Sequence, residues 1–142
     1  MLEIFNDLKP FFEDNYIRIG VREYARIQHI SPPSASKILK SLEKERLLLS
    51  LEDRRYLYFY PSREDLQFIG LQRTYYTHLL RELGLIKYIE KELITPVVIV
   101  FGSLAKAELK QNSDIDLAIF SVSEKKIDLT SFEKKLKRTI QV

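Results

Sequence analysis

Residues 101–120 read FGSLAKAELKQNSDIDLAIF: a Gly-Ser pair, a short run of helix formers, a turn, and two aspartates spaced two apart. Pro96 opens the preceding VVIVF (97–101), a continuous apolar run of strand formers expected to be buried on both faces. LAKAELK (104–110) has the composition for two helical turns, and Gln111–Asn112 supply turn residues before SDIDLAIF. The unit therefore reads strand, Gly-Ser, short helix, turn, strand. Alternate side chains of a strand share a face, which puts Asp114 and Asp116 on one side and Ile115, Leu117 and Ile119 on the other. With about 3.3 Å of rise per residue their Cα atoms stand about 6.5–7 Å apart. Carboxylates converging from that separation can bracket two Mg²⁺ ions about 3.5–4 Å apart. Gly102 lets a phosphate approach the backbone, and Ser103 offers a hydroxyl and an orphan N–H at a helix start. Lys106, one helical turn on, adds a cation for a polyphosphate. The plainer role for the pair is a turn cap at Ser113–Asp114 and a solvent-facing strand residue at Asp116.

Composition restricts the chemistry available. The 142 residues, 45% of them hydrophobic and 30% charged, suffice for one domain or two small ones with a real core. There is no cysteine, which excludes disulfides and thiolate metal sites, and the two histidines are far apart in sequence. Carboxylates are left as ligands, which favours a hard cation such as Mg²⁺ or Mn²⁺. No basic leader followed by an apolar run opens the chain, and no stretch approaches the roughly 20 apolar residues that span a bilayer. A cytoplasmic protein without membrane contact is expected. The net charge of +3 permits nucleic-acid contact without arguing for it.

Three segments are expected: 1–61, a linking helical stretch 62–94, and 95–142. In the first, LEIFNDLKPFF (2–12) and VREYARIQHI (21–30) carry apolar residues at helical spacing, the second with Val21, Tyr24, Ala25 and either Ile27 or Gln28 on one side. SPPSASKILKSLEKERLL (31–48) begins with Ser31 as N-cap and Pro32 at the first helical position. Ile38, Leu39 and Leu42 would face inward, leaving Ser34, Ser36, Lys37 and Lys40 toward solvent. LLLSLEDRRYLYFYP (47–61) reads as two strands around a tight turn at Glu52–Arg55. Three helices and a hairpin in this order resemble a winged helix-turn-helix domain, over about residues 10–61. The resemblance implies that the third helix enters a DNA groove, with Ser34, Ser36, Lys37 and Lys40 presented to the nucleic acid, DNA or RNA, and with Arg54 and Arg55 at the wing tip. Three-helix cores with a hairpin also serve as protein-interaction modules.

The segment SREDLQFIGLQRTYYTHLLRELG (62–84) predicts a long helix with Ser62 as N-cap, Asp65 at the third helical position and Gly84 as its stop. Its apolar residues form two stripes, one through Leu66, Ile69, Tyr76, Leu80 and Leu83, the other through Phe68, Leu71, Tyr75 and Leu79. Such width suggests a helix that links the two domains and also forms a homodimer seam, with Gly70 permitting close approach. His78 has no partner histidine and reads as a surface or packing residue.

The Gly-Ser, the spaced aspartates and both flanking strands together resemble the DNA polymerase beta-like nucleotidyltransferase superfamily, and most closely its minimal nucleotidyltransferases, which commonly run Gly-Ser-x-Ala-x-Gly ahead of Ser-Asp-x-Asp-Leu. The matching residues are Gly102, Ser103, Ala105, Ser113, Asp114, Asp116 and Leu117. Ala107 stands where a second glycine is usual, a departure expected to tighten the loop. The resemblance implies transfer of a nucleoside monophosphate from an NTP to a hydroxyl with release of pyrophosphate. Asp114 and Asp116 would be the catalytic metal ligands, while Gly102 and Ser103 would grip the β and γ phosphates.

That family also uses a third carboxylate from a later strand. After Asp116 the candidates are Glu124, Asp128 and Glu133, with Asp128 in a connector and Thr130–Glu133 reading as a capping box. TIQV (139–142) looks like the start of the strand that should carry the acid. Three explanations stay open: the chain is a piece of a longer one, the domain is degenerate, or a partner supplies the acid. The expected whole is an α+β protein, a winged helix followed by linking helices and a small, incomplete nucleotidyltransferase-like sheet domain. Its expected activity is Mg²⁺-dependent nucleotidyl transfer, the alternative being a DNA-binding regulator with a non-catalytic nucleotidyltransferase-like domain.

Overall fold

The computed structural model describes residues 1–142 and is a mixed α+β fold of seven helices and two three-stranded sheets. It divides into two compact units, Met1–Leu71 and Gln72–Val142. The expected linking stretch 62–94 is shared between them, and no helix is long and apolar enough to cross a membrane.

The first unit contains α1 (Glu3–Glu13), β1 (Ile19–Gly20), α2 (Val21–Gln28), α3 (Pro32–Lys44), β2 (Leu48–Asp53) and β3 (Tyr56–Pro61). Its sheet has the order β1-β3-β2, antiparallel throughout. The two-residue β1, absent from the sequence reading, adds Ile19 and Gly20 beside Phe59 and Tyr58. Phe5, Leu8 and Phe12 recur at helical spacing and are buried with Phe11, Tyr24, Leu39 and Phe59. Pro10 lies inside α1 and has no N–H to give the carbonyl of Asn6. Gln28 of α2 fills that gap, its Nε2 donating to Asn6 O at 2.7 Å, while the Tyr24 hydroxyl donates to Asp7 O at 2.7 Å. Polar side chains of α2 thus satisfy the helix that its apolar side packs on. This also settles which residue turns inward, since Ile27 is 44% exposed.

Helix α3 starts as its sequence indicates. Ser31 Oγ accepts from Ser34 N, and Pro32 occupies the first turn. Leu39 and Leu42 are buried with Ala35, while Ser34, Lys37 and Lys40 are exposed and Ser36 is half-buried.

Asp53 pairs with Tyr56, so only Arg54 and Arg55 connect β2 to β3. Both take the left-handed conformation, with φ of 50° and 68°. A two-residue turn of this hand suits the twist of the strands but favours Asn-Gly, because a Cβ in that region costs about 1–2 kcal/mol per residue.

Helix α4 (Leu66–Glu82) begins the passage into the second unit. Ser62 is not its N-cap. Asp65 takes that role, its Oδ1 accepting from Gln67 N at 2.8 Å and Phe68 N at 3.2 Å, because a turn closed by Asp65 N to Ser62 O delays the helix by three residues. Phe68 packs on Phe12 with ring centroids 5.5 Å apart. Of the two apolar stripes, Phe68, Tyr75, Tyr76 and Leu80 are buried within the chain, and Leu66 is 84% exposed. A side chain on Gly70 would meet nothing within 4 Å.

The second unit continues through α5 (Leu85–Glu92), β4 (Val97–Phe101), α6 (Gly102–Ala105), β5 (Ile115–Phe120), α7 (Thr130–Leu136) and β6 (Ile140–Gln141). Gly84, at φ 82°, separates α4 from α5. The sheet order is β4-β5-β6, with β4 antiparallel and β6 parallel to β5. Strand β4 is not buried on both faces as its unbroken apolar run suggests. Val97, Ile99 and Phe101 are 56%, 46% and 48% exposed. An antiparallel pair can leave one face open, whereas two-sided burial belongs to all-parallel sheets covered by crossover helices.

The stretch 104–110 does not form two turns of helix. Ala107 adopts φ 54°, with its N–H on Leu104 O and the Glu108 N–H on Ser103 O, the paired closure that ends a helix at a left-handed residue. Ala107 therefore stops the helix rather than tightening a loop. The capping box at Thr130–Glu133 is also replaced. Asp128 Oδ1 accepts from Thr130 N and Thr130 Oγ1, and Glu133 Oε1 accepts from Ile140 N at 2.8 Å.

Replacing the hairpin connection by Arg54→Asn with Arg55→Gly is expected to stabilise the chain by about 1–2 kcal/mol. Urea denaturation followed by circular dichroism measures this, and an unchanged or lowered midpoint contradicts it.

Candidate nucleotide and metal site

The site is assembled where β4 ends against β5. Phe101 is the register partner of Asp116, so the chain leaves β4 at Gly102 directly beside that aspartate. Gly102 sits at φ 72°, and a Cβ built on it would overlap the Asp116 carboxylate, with Cγ at 3.0 Å and Cβ at 3.2 Å. A glycine is therefore required twice over here, by the backbone and by the space the carboxylate occupies. Ile115 and Leu117 are buried at 0% and 1%, which turns Asp116, between them, to the opposite face. Asp114 lies just ahead of β5 and is exposed, while Asp116 is half-buried.

The turn before Asp114 is held from two directions. Ser113 Oγ accepts from Lys110 N at 2.8 Å and Ser113 N donates to Lys110 O at 3.0 Å, so Ser113 closes the turn as its sequence suggests. Arg138 Nη1 is within 2.9 Å of Lys110 O, 3.1 Å of Gln111 O and 2.9 Å of Ser113 O. Ile115 N donates to Thr139 O at 2.9 Å. One guanidinium thus gathers three carbonyls of the turn, and the backbone beside it fixes where β5 starts. Nothing in TSFEKKLKRTI distinguishes Arg138 from the surrounding lysines, since its role depends on a turn 25 residues earlier.

Helix α6 is anchored in the same way. Gln72, wholly buried, donates from Nε2 to Leu104 O at 2.8 Å, and Arg73 Nε donates to Ala105 O at 2.7 Å. α4 thus supplies a side-chain donor to each of the last two carbonyls of this one-turn helix, in the case of Leu104 O beside the Ala107 N–H. Gln72 and Arg73 escape the sequence reading because they lie in the polar gaps of an amphipathic helix. Ser103 is half-buried at the start of α6, and Lys106 is exposed just past its end.

None of the expected third acids joins the aspartates. Asp128 is engaged with Thr130, whose hydrogen bonds hold its carboxyl below the usual range. Glu133 serves Ile140, and Glu124 is exposed between β5 and α7. No group of three or more His, Cys, Asp or Glu is placed to hold a metal ion. The neighbour of Asp116 on β6 is Gln141, its register partner. Strand β6 is therefore the one expected at TIQV, and it brings an amide to that position. Ser34, Ser36, Lys37, Lys40, Arg54 and Arg55 belong to the other unit, on α3 and the hairpin tip.

Residues 84–142 match a family described as Polymerase beta, Nucleotidyltransferase. The match takes in β4, Gly102, Ser103 and both aspartates, and it supports the nucleotidyltransferase superfamily for this part of the chain. Residues 1–83 lie outside it. No curated protein and no solved structure matches the chain.

Two outcomes follow from this geometry. Gly102→Ala is expected to displace the Asp116 carboxylate and weaken Mn²⁺ binding at least tenfold while far-UV circular dichroism is retained. Water proton relaxation during a Mn²⁺ titration reads the loss. Arg138→Leu removes donors to three carbonyls at a cost of about 1.5 kcal/mol or more, so the amides of Lys110 and Ser113 should exchange with solvent at least tenfold faster by NMR, with the β4–β5 amides unchanged.

Proposed function

We propose that residues 72–142 bind an NTP with a divalent cation and transfer its nucleoside monophosphate to a hydroxyl, and that residues 1–71 are a winged helix that contacts nucleic acid. The observation that carries the first part is Gly102 fitted against the Asp116 carboxylate, within the stretch that matches the nucleotidyltransferase family. The donor set suits Mg²⁺ or Mn²⁺, since carboxylate oxygens are what hard cations take and the chain has no cysteine to offer a thiolate. When bound, such an ion neutralises phosphate charge and activates oxygen nucleophiles. Asp114 and Asp116 hold it on the open face of β5. Gly102 and Ser103 present backbone N–H and hydroxyl groups to the β and γ phosphates, and Lys106 adds a positive charge beside them. Phosphoryl transfer asks the protein mainly for positioning and charge neutralisation, and the Arg138 clamp and the Gln72–Arg73 anchors provide rigidity for both.

The winged-helix reading is supported by the order α1-β1-α2-α3-β2-β3, by the exposed Lys37 and Lys40 on α3, and by the hairpin tip. Two arginines in a left-handed turn are locally costly, and strain of this kind is retained where the side chains serve function. Guanidinium groups at a wing tip suit phosphate contacts.

Incubation with each labelled NTP and Mg²⁺ or Mn²⁺ should give pyrophosphate and a labelled product with a hydroxyl acceptor, and Asp114→Ala or Asp116→Ala should each abolish it with the fold intact. Nucleotide binding without any transfer would leave the second reading, a DNA-binding regulator whose nucleotidyltransferase-like unit is not catalytic. The Gln141 amide beside Asp116 favours that reading. Duplex binding should weaken steeply with salt and on Lys37→Ala, Lys40→Ala or Arg54→Asn with Arg55→Gly. Absence of retardation of any duplex at low salt removes the nucleic-acid part.

A further inference from the structure

Gln141 faces the same side of the sheet as Asp116. The two are register partners on parallel strands, and their neighbours Ile115 and Ile140, also register partners, are both buried on the opposite side. Gln141 itself is exposed. Its neighbouring backbone is held by Glu133, which accepts from Ile140 N, and by the Thr139 carbonyl, which accepts from Ile115 N. The place beside Asp116 is thus built into the fold, and an uncharged amide occupies it.

The chemistry of nucleotidyl transfer makes that amide consequential. The acceptor oxygen bonds to the α phosphorus, the bond from that phosphorus to the bridging oxygen of the β phosphate breaks, and pyrophosphate leaves. The hydroxyl proton must pass to a base. A carboxylate at position 141 could take this proton or help to hold a second cation against the acceptor oxygen. An amide is neutral, a weak cation ligand, and no base at neutral pH.

Resting on the nucleotide-binding reading above, we infer that Gln141 limits the carboxylate face to one divalent ion, so that the unit retains an NTP–cation complex and transfers the nucleotide slowly. The residue is a determinant of ion number and rate. A site of this type suits a protein that responds to nucleotide occupancy, and it lies one substitution from a faster transferase.

The test uses the full chain with Mn²⁺ and NTP analogues that carry a methylene bridge between the α and β phosphorus and so cannot react. Electron paramagnetic resonance counts bound Mn²⁺, and equilibrium dialysis counts bound nucleotide. The wild type is expected to bind one Mn²⁺ per nucleotide. Gln141→Glu, which keeps the shape of the side chain, or Gln141→Asp is expected to bind two, and with natural NTP to release pyrophosphate at least tenfold faster. Gln141→Asn, which adds no charge, should stay at one ion per nucleotide. Two ions per nucleotide in the wild type would overturn the inference, and so would a count of one with an unchanged rate in both acidic variants while circular dichroism shows them folded. Failure of the wild type to retain any of the analogues would instead refute nucleotide binding itself, an outcome read from the dialysis alone.

Discussion

Everything proposed for the second unit depends on one close approach, the Asp116 carboxylate lying where a Cβ on residue 102 would be. The antiparallel register sets it up, since Phe101 opposite Asp116 delivers the next residue to the carboxylate as the chain turns into α6. A side chain at 102 would force the carboxylate away and strain a backbone at φ 72°. The backbone proposed to meet phosphate and the oxygens proposed to hold a cation are therefore adjacent for a steric reason.

The supports of this arrangement come from remote parts of the sequence. Gln72 and Arg73 satisfy carbonyls of the one-turn α6, and Arg138 collects those of the turn before Asp114. In each case the group reached is a backbone carbonyl of a short, irregular segment, some of which, Leu104 O and Lys110 O, also accept a backbone N–H. A small sheet with four-residue and two-residue elements around it has many such groups, and long polar side chains from neighbouring segments are what reach them. The same solution recurs in the first unit, where Gln28 meets the carbonyl that Pro10 leaves free.

The hairpin tip and Gln141 share another feature. At both places the residue present is not the one that local physics or transfer chemistry would select: arginines where Asn-Gly would relax the turn, and an amide where an acid would take a proton. The proposed contact with a polyanion in one case, and the proposed retention of a nucleotide in the other, would account for these departures.

Patterns local to the chain were legible without coordinates. The Ser31 cap, the hairpin, the stop at Gly84 and the strand–Gly-Ser–turn–strand order each rest on side chains acting on their own or adjacent backbone, so a short window contains the cause. The failures have a common physical origin. VVIVF gives no sign that its sheet leaves one face open, because strand direction is set by distant pairing. Ser62 and Asp65 are both good caps, and a turn between them decides which acts. Arg138, Gln72 and the position of Gln141 beside Asp116 are defined by partners 25 or more residues away. The residue types that carry the chemistry were therefore determined by the sequence itself, while tertiary pairing alone decided which of them meet, since hydrogen-bond partners and strand register are properties of the folded sheet.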